Sequence, residues 1–471
     1  MRFRVAFLLP MACCWMLSQV ARGQSRSDVQ LWLTNPDKSA LFARQATPLH
    51  FSTPNNQFPT IDVNAQRYFQ TMDGFGFALT GGSAQLLMRM DPARRRAVLK
   101  DLFSTEGNDI GVSYLRVSIG SSDMDDRVYS FDDLPEGKTD AHLTKFTLAP
   151  VEDTLIPVLR EILTINPKIQ IVASPWSAPA WMKTNDSSQG GSLKPKYFKP
   201  YANYFVKYIQ GMKAAGIPIH AITVQNEPLN PKNNPSMVML ASQQDTFIVQ
   251  YLAPALQKAG IKTNILMYDH NPDVPSYPLS ILKDPRAYKD VAGTAFHLYS
   301  GEVGTLTTVH DAYPNKNLYL TEQWVTEKPG ATTMDIAEPV SRVVIGATRN
   351  WSRNVLLWNL AADPNDGPHT NGGCTQCQGA ITLDGNKATF NLAYYTIAQF
   401  SKFVRPGSVR IGSNDLEQLA NVAFLVPDGN MVLVIANTGT SVQTFNIRYR
   451  GNTVMGTLLA GSVGTYIWQS Q

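Results

Sequence analysis

A (β/α)8 barrel, an α/β fold, joined to a β-sandwich formed from both termini is what this sequence predicts, and three observations predict it. Eight apolar runs of strand length alternate with amphipathic stretches between about residues 70 and 395. The two ends of the chain instead carry short alternating runs separated by turn signals. No glycine fingerprint for a dinucleotide or a phosphate loop follows any of the eight runs, which favours a closed barrel over a doubly wound sheet.

The eight runs are Gly74–Leu79, Val112–Ile119, Ile169–Pro175, Ala221–Asn226, Asn264–Asp269, Gly293–Tyr299, Leu318–Glu322 and Asn354–Trp358. Helices lie between them. Asp91-Pro92 offers an N-cap and a proline at the first helical position before Ala97, Val98 and Leu102. Tyr201, Tyr204, Phe205, Tyr208, Ile209 and Met212 recur at helical spacing and stop at Gly216, and Thr246 to Leu256 repeats the pattern before Gly260. Near the C-terminus, Met431-Val-Leu-Val-Ile435, Phe445-Asn-Ile-Arg-Tyr449 and Thr465-Tyr-Ile-Trp468 read as sandwich strands. The expected organisation is a sandwich from residues 27–66 and 405–471 around a barrel at 67–404.

Composition narrows the class. With 44% hydrophobic and 17% charged residues the chain is globular. Residues 1–23 read as a signal peptide: Arg2 and Arg4, then the apolar Val5 to Leu17, then Ala21-Arg-Gly23. That apolar core is too short to span a bilayer, so export without stable membrane insertion is expected. Met11-Ala-Cys13 faintly resembles a lipid-attachment box, with Pro10 where a leucine is usual; anchoring as a lipoprotein is the minor alternative. Removing residues 1–23 takes Arg2, Arg4 and Arg22 and no acids, so the net charge falls from +4 to +1. That balance argues against a nucleic-acid partner. Cys374 and Cys377 then remain, and their flanks Asn371-Gly-Gly and Gln378-Gly favour a loop-stapling disulfide over a redox or zinc motif.

The chemistry concentrates in Ile222-Thr-Val-Gln-Asn-Glu-Pro228 and Leu318-Tyr-Leu-Thr-Glu-Gln-Trp324. Each is a strand-like run ending on a glutamate, a poor packing choice but a good one for a carboxylate at the mouth of a barrel. Glu227 on the fourth strand and Glu322 on the seventh would face each other across that mouth, as paired carboxyl groups that cleave a glycosidic bond do. Asn226 would offer an amide to a sugar 2-hydroxyl, given a twist at the strand end. His297 and Tyr299 share a face of the sixth strand, and Tyr299 is placed to hydrogen-bond the nucleophile. Trp176, Trp181, Trp324 and Trp358 fall at strand ends, where aromatic faces suit sugar rings. Arg116, a charge within an apolar strand, needs a carboxylate partner and would support Glu322. No metal-ligand spacing such as H-E-x-x-H occurs, and no metal or other cofactor is expected.

These segments, together with Gln70-Thr-Met-Asp-Gly-Phe-Gly76, Tyr114-Leu-Arg-Val-Ser-Ile-Gly120, Ala173-Ser-Pro-Trp-Ser-Ala-Pro-Ala-Trp-Met182, Ala295-Phe-His-Leu-Tyr299 and Phe400-Ser-Lys-Phe403, resemble glycoside hydrolase family 30 (clan A), its glucosylceramidase and β-1,6-glucanase branches above all. The resemblance, over about residues 27–471, implies a TIM barrel with a β-sandwich and hydrolysis with retention. Glu227, held protonated, matches the acid/base and Glu322 the nucleophile. Asn226, Arg116, Trp176, His297, Tyr299 and Trp358 match the surrounding shell. In the glucosylceramidase branch the first strand runs into Thr-Asp, whose acid binds the glycone; here Gly81 follows Thr80. The substrate implied is a β-glucan or a glucosyl conjugate, with a xylan or a fucoside as alternatives within the family and a non-catalytic carbohydrate-binding barrel as the alternative from another class.

Overall fold

The computed structural model describes residues 28–327 and 330–470. The signal peptide and Cys13 therefore lie outside the described residues. Among those residues no helix is long and apolar enough to cross a membrane.

Eight parallel strands close into a barrel: β1 (Gly74–Ala78), β2 (Tyr114–Ser118), β3 (Gln170–Ser174), β4 (Ala221–Thr223), β5 (Asn264–His270), β6 (Gly293–His297), β7 (Asn317–Glu322) and β8 (Ser352–Leu357). Strand β8 pairs with β1 through Asn354 and Gly74 to complete the circle. Tyr114, Val172, Ala221, Leu266, Ala295, Tyr319 and Leu356, one from each of seven strands, pack together as a layer of the barrel interior. The wall has little slack. A Cβ on Gly76 would lie 1.9 Å from the Tyr114 carbonyl oxygen on β2. Gly76→Ala should therefore cost on the order of 2–4 kcal/mol, read as a fall in Tm, because the obstacle is backbone and cannot turn aside.

The helices follow the apolar spacing. Phe198–Ala214 buries Tyr201, Tyr204, Phe205, Tyr208, Ile209 and Met212, and Gly216 turns the chain out at a φ of +85°. The stretch at 241–258 is helical but passes through a π-helical segment, Ile248–Leu252. Asp91 stands at the N-cap of Pro92–Phe103, but its side chain caps nothing there. Its carboxylate accepts from Asn386 Nδ2 instead, at 2.7 Å.

The sandwich draws Asp28–Thr34 and Thr60–Thr71 from one end and six strands from Val409–Ser413 to Val463–Gln469 from the other. Thr60–Thr71 runs antiparallel to Val409–Ser413 and parallel to Gln443–Tyr449, so the early strand sits inside the late sheet. Ile61, Val63, Leu433, Ile435, Phe445 and Ile447 fill one core between its layers. Arg450 and Gly451, both at positive φ, make the two-residue hairpin between Gln443–Tyr449 and Asn452–Leu458. At the junction with the barrel, Gln399 on Leu392–Ser401 donates to Thr34 Oγ1 and accepts from Thr465 Oγ1.

Candidate active site

One step beyond the apolar layer, the side chains turn polar. Arg116, Ser174, Thr223, His297 and Thr321 each stand two residues after a member of that layer, and so point to the same side of their strands. Two irregularities add acids to this ring. Tyr268 and Asp269 both adopt left-handed backbone, at φ of +70° and +67°, and the β5–β6 register shifts there. The β6–β7 register shifts so that His297 pairs with Glu322. Bulges of this kind re-aim side chains, and non-glycine residues at positive φ persist only where the surroundings hold them.

Asp269 is the hub. It is fully buried, accepts from Arg116 Nη2 at 2.8 Å, from Ser174 and Thr223 hydroxyls at 2.8 and 2.7 Å, and from Thr321 at 2.5 Å. Despite burial, Arg116, His297 and these donors hold its carboxyl far below the usual carboxylate range. Arg116 is also fully buried, donates to Glu322 Oε2 at 2.5 Å and to Asn226 Oδ1 at 2.7 Å, and lies over the Trp176 ring. Tyr299, at the exposed rim, donates its hydroxyl to Glu322 Oε1 at 3.0 Å.

Glu227 lies four residues past the end of β4, not on the strand. Its left-handed φ of +43° and the bond from its N–H to the Asp269 carbonyl turn the chain so that Asn226 and Glu227 both face the ring. Its Oε2 accepts from Asn230 Nδ2 at 2.7 Å, and its Oε1 stands 3.1 Å from His297 Nδ1. The other ring nitrogen of His297 is 3.2 Å from Asp269.

His297 Nδ1 also lies 3.7 Å from Glu322 Oε1. Both glutamate Oε1 atoms are thus within 3.7 Å of one nitrogen. The two oxygens are therefore at most about 7 Å apart, a bound that accommodates the ~5–5.5 Å spacing of retention.

Burial opposes charge on His297, but Glu322, Asp269 and Glu227 around it push its pKa up to about 10. Burial likewise opposes charge on Glu227, but the bond from His297 and that cation's field pull it down to about 2. The field of His297 therefore favours the carboxylate form of Glu227 in the free protein, and Glu227 in turn favours a proton on His297. Glu322 moves upward, chiefly by burial and by the charges of Glu227 and Asp269, against the pull of His297 and Arg116.

These shifts make stability depend on pH. His297, raised, lends stability complete below its ordinary 6.5 and lost as pH rises through about 10. Glu227, lowered, lends stability present above 4.5 and lost as pH falls through about 2. Tm measured against pH should fall between pH 6.5 and 10, and His297→Gln should flatten that limb.

The ring opens into a cleft of about 530 Å³ lined by Asp123, Glu227, Tyr299, Glu322, Trp324 and Trp358 among others. Trp176 and Trp358 pack at 5.5 Å between ring centroids and are almost wholly buried, so they back the cleft more than they expose a face to it. Trp181 stays outside, donating to the Asp132 carbonyl and packing on Tyr197. A disulfide joins Cys374 and Cys377 on the cleft wall. Glu227, His270 and His297 hold ligand atoms within 4.8 Å of one another, close enough for a metal ion. The engagement of both His297 nitrogens with carboxylates speaks against that use.

Three residues escaped the sequence reading. Asp269 ends a predicted strand as Glu322 does, so the signal was present. His270, buried, with an Nδ1 that makes no hydrogen bond and stands 3.9 Å from Glu227 Oε1, follows it directly. Asp123 lies in the loop after β2, where no periodicity marks it. The Gly81 departure also changes meaning. A Cβ at Gly81 would sit 1.7 Å from Asp125 Oδ1, so the loop carrying Asp123 and Asp125 fills that space with its own acid. Burial pushes both Asp123 and Asp125 up to about 7, and Glu322 and Glu227 add to the rise for Asp123.

Comparison with known proteins matches this architecture. Residues 72–404 match the glycosyl hydrolase family 30 TIM-barrel domain, and residues 407–466 match that family's beta sandwich domain. An endo-1,6-beta-D-glucanase of Neurospora crassa is 36% identical over 428 residues, covering 87% of each chain. The lysosomal acid glucosylceramidase of Mus musculus is 30% identical over 442 residues, covering 87% of this chain and 84% of its own. A solved endo-β1,6-glucanase superposes with a TM-score of 0.86 at 34% identity, over 94% of this chain and all of that one. Barrel and sandwich together make this chain a glycoside hydrolase of family 30.

Proposed function

We propose that the protein is an exported, retaining endo-β-1,6-glucanase, with Glu322 as nucleophile and Glu227 as acid/base. The observation that carries the mechanism is the unequal setting of two carboxylates around one histidine nitrogen. Glu322 is held by donors of fixed charge and position, Arg116 and Tyr299, which suit a permanent carboxylate. Glu227 faces the exchangeable proton of His297 at 3.1 Å, which suits a group that must give and take one.

Glu322 attacks the anomeric carbon and the glycosidic C–O bond breaks. His297 Nδ1 first passes its proton to Glu227, which delivers it to the leaving oxygen and is left as a carboxylate. Glu227 then takes a proton from water, the resulting hydroxide attacks the glycosyl ester, and Glu322 leaves as carboxylate. Asn226, whose Oδ1 is engaged by Arg116, presents its amide donors toward the sugar, and Asp123 binds hydroxyls remote from the reacting carbon. Trp176, Trp358, His297 and Tyr299 complete the sugar site. We assign the two ends, expected at 27–66 and 405–471, to the sandwich, with the strand Thr60–Thr71 carrying its first piece to residue 71, the segment from there to 404 to the catalytic barrel and 1–23 to a signal peptide.

The β-1,6 linkage is supported by relatives named as endo-1,6-beta-D-glucanases, at 33–36% identity over most of the chain. Incubation with pustulan, laminarin, xylan and glucosylceramide, followed by product sizing, tests it. Pustulan should fall to short oligosaccharides before glucose accumulates. Intact pustulan beside cleaved glucosylceramide would transfer the assignment to the glucosyl conjugate.

A further inference from the structure

The loop at residues 370–378 touches four separate walls of the cleft. Its Thr370 N–H donates to the Asp123 carbonyl at 2.9 Å, and Cys374 lines the cleft together with Asp123. Thr370 Oγ1 donates to the Asn234 carbonyl at 2.5 Å, and Asn234 Nδ2 donates to the Asn371 carbonyl at 3.0 Å, which ties down the segment after Glu227. Gln378 Oε1 accepts from Thr326 Oγ1 and from the Glu327 N–H, each at 3.3 Å, in the segment after Glu322. The Cys377 carbonyl accepts from Asn359 Nδ2 at 3.3 Å, beside Trp358.

Little regular structure holds this loop itself. It contains no strand or helix, and short turns such as Gly373 N–H to the Thr370 carbonyl are its internal bonds. Gly373 lies so close to Asp123 that a Cβ there would be 2.3 Å from the Asp123 carbonyl oxygen. The Cys374–Cys377 disulfide closes the turn, and Cys377 packs in one cluster with Trp176 and Trp358. A cross-link over so short a segment restricts few unfolded conformations, so its main consequence is local geometry, not global stability.

We propose that this stapled loop is a positioning element for the sugar: with the disulfide intact it holds Asp123 and the four walls at binding distance, and with it reduced substrate affinity falls. The inference rests on the cleft binding a β-glucoside.

The test compares the mature protein oxidised, reduced by a trialkylphosphine (which becomes the phosphine oxide as the disulfide becomes two thiols) and reoxidised, alongside Cys374→Ser/Cys377→Ser. Reduction should raise KM for an aryl β-glucoside about tenfold with kcat within about threefold, and reoxidation should restore it. The double variant should match the reduced protein. Amide exchange should quicken in 370–378 and around Asp123, Asn234 and Glu327. Equal KM and equal exchange in the oxidised and reduced states would overturn the proposal. So would a fall confined to kcat. An oxidised protein that turns over no β-glucoside refutes the functional reading instead, and the exchange comparison still decides the role of the loop.

Discussion

Glu322→Ala should lower turnover of an aryl β-glucoside by about 10⁴-fold or more, because no other group can form the covalent intermediate. Sodium azide should restore turnover and yield the α-glucosyl azide: a small anion entering the vacated space attacks once, from the face opposite the leaving group. Product configuration is read by NMR. Wild-type rates in this variant would remove Glu322 from the nucleophile role, and a β-configured azide would remove the double displacement. Arg116 is 2.5 Å from the side chain being cut back. Its charge remains balanced by Asp269, so the variant should fold.

Arg116→Met should have the second large effect, on stability as well as rate. Among the described residues Arg116 is the one fixed cation between Asp269 and Glu322, and all three are buried or nearly so. Methionine fills similar volume but leaves two buried carboxylates with neutral hydroxyl donors and His297 in place of a fixed cation. Breaking such a pair from one side costs about 3–5 kcal/mol, to be read as a loss of Tm. Glu322, already raised by burial, should rise further, so the acid limb of the pH–rate profile should move to higher pH. Adding Asp269→Asn should return part of the lost stability, since the second change removes a charge that the first left unpaired. Strict additivity of the two losses would argue that the network is not energetically coupled.

Much of this site was legible from residue order, and the reason is specific. Barrel strands are short apolar runs, so a polar residue two places beyond an apolar one stands out, as Arg116 and His297 do. Asp269 was legible by the same rule but lacked a second motif around it. Asp123 was not, because loops after strands carry no period from which direction can be read, and His270 was not, because the left-handed backbone at Tyr268 and Asp269 breaks the alternation of its strand. The downward pull on the Glu227 carboxyl is not legible in the sequence for a related reason. Its pKa depends on His297, which is 70 positions away in the chain and 3.1 Å away in space.

The sequence by itself determined the alternation of strands and helices, the sandwich strands at both ends and the pair of glutamates, since each follows from local patterning. Tertiary structure decided which carboxylate carries charge and which residues meet. Register shifts at β5–β6 and β6–β7 and the left-handed turns at Asp269 and Glu227 bring three acids, an arginine and a histidine into one buried ring. Inside that ring charges interact through little water, so each proton is placed by neighbours that only the closed barrel brings within reach.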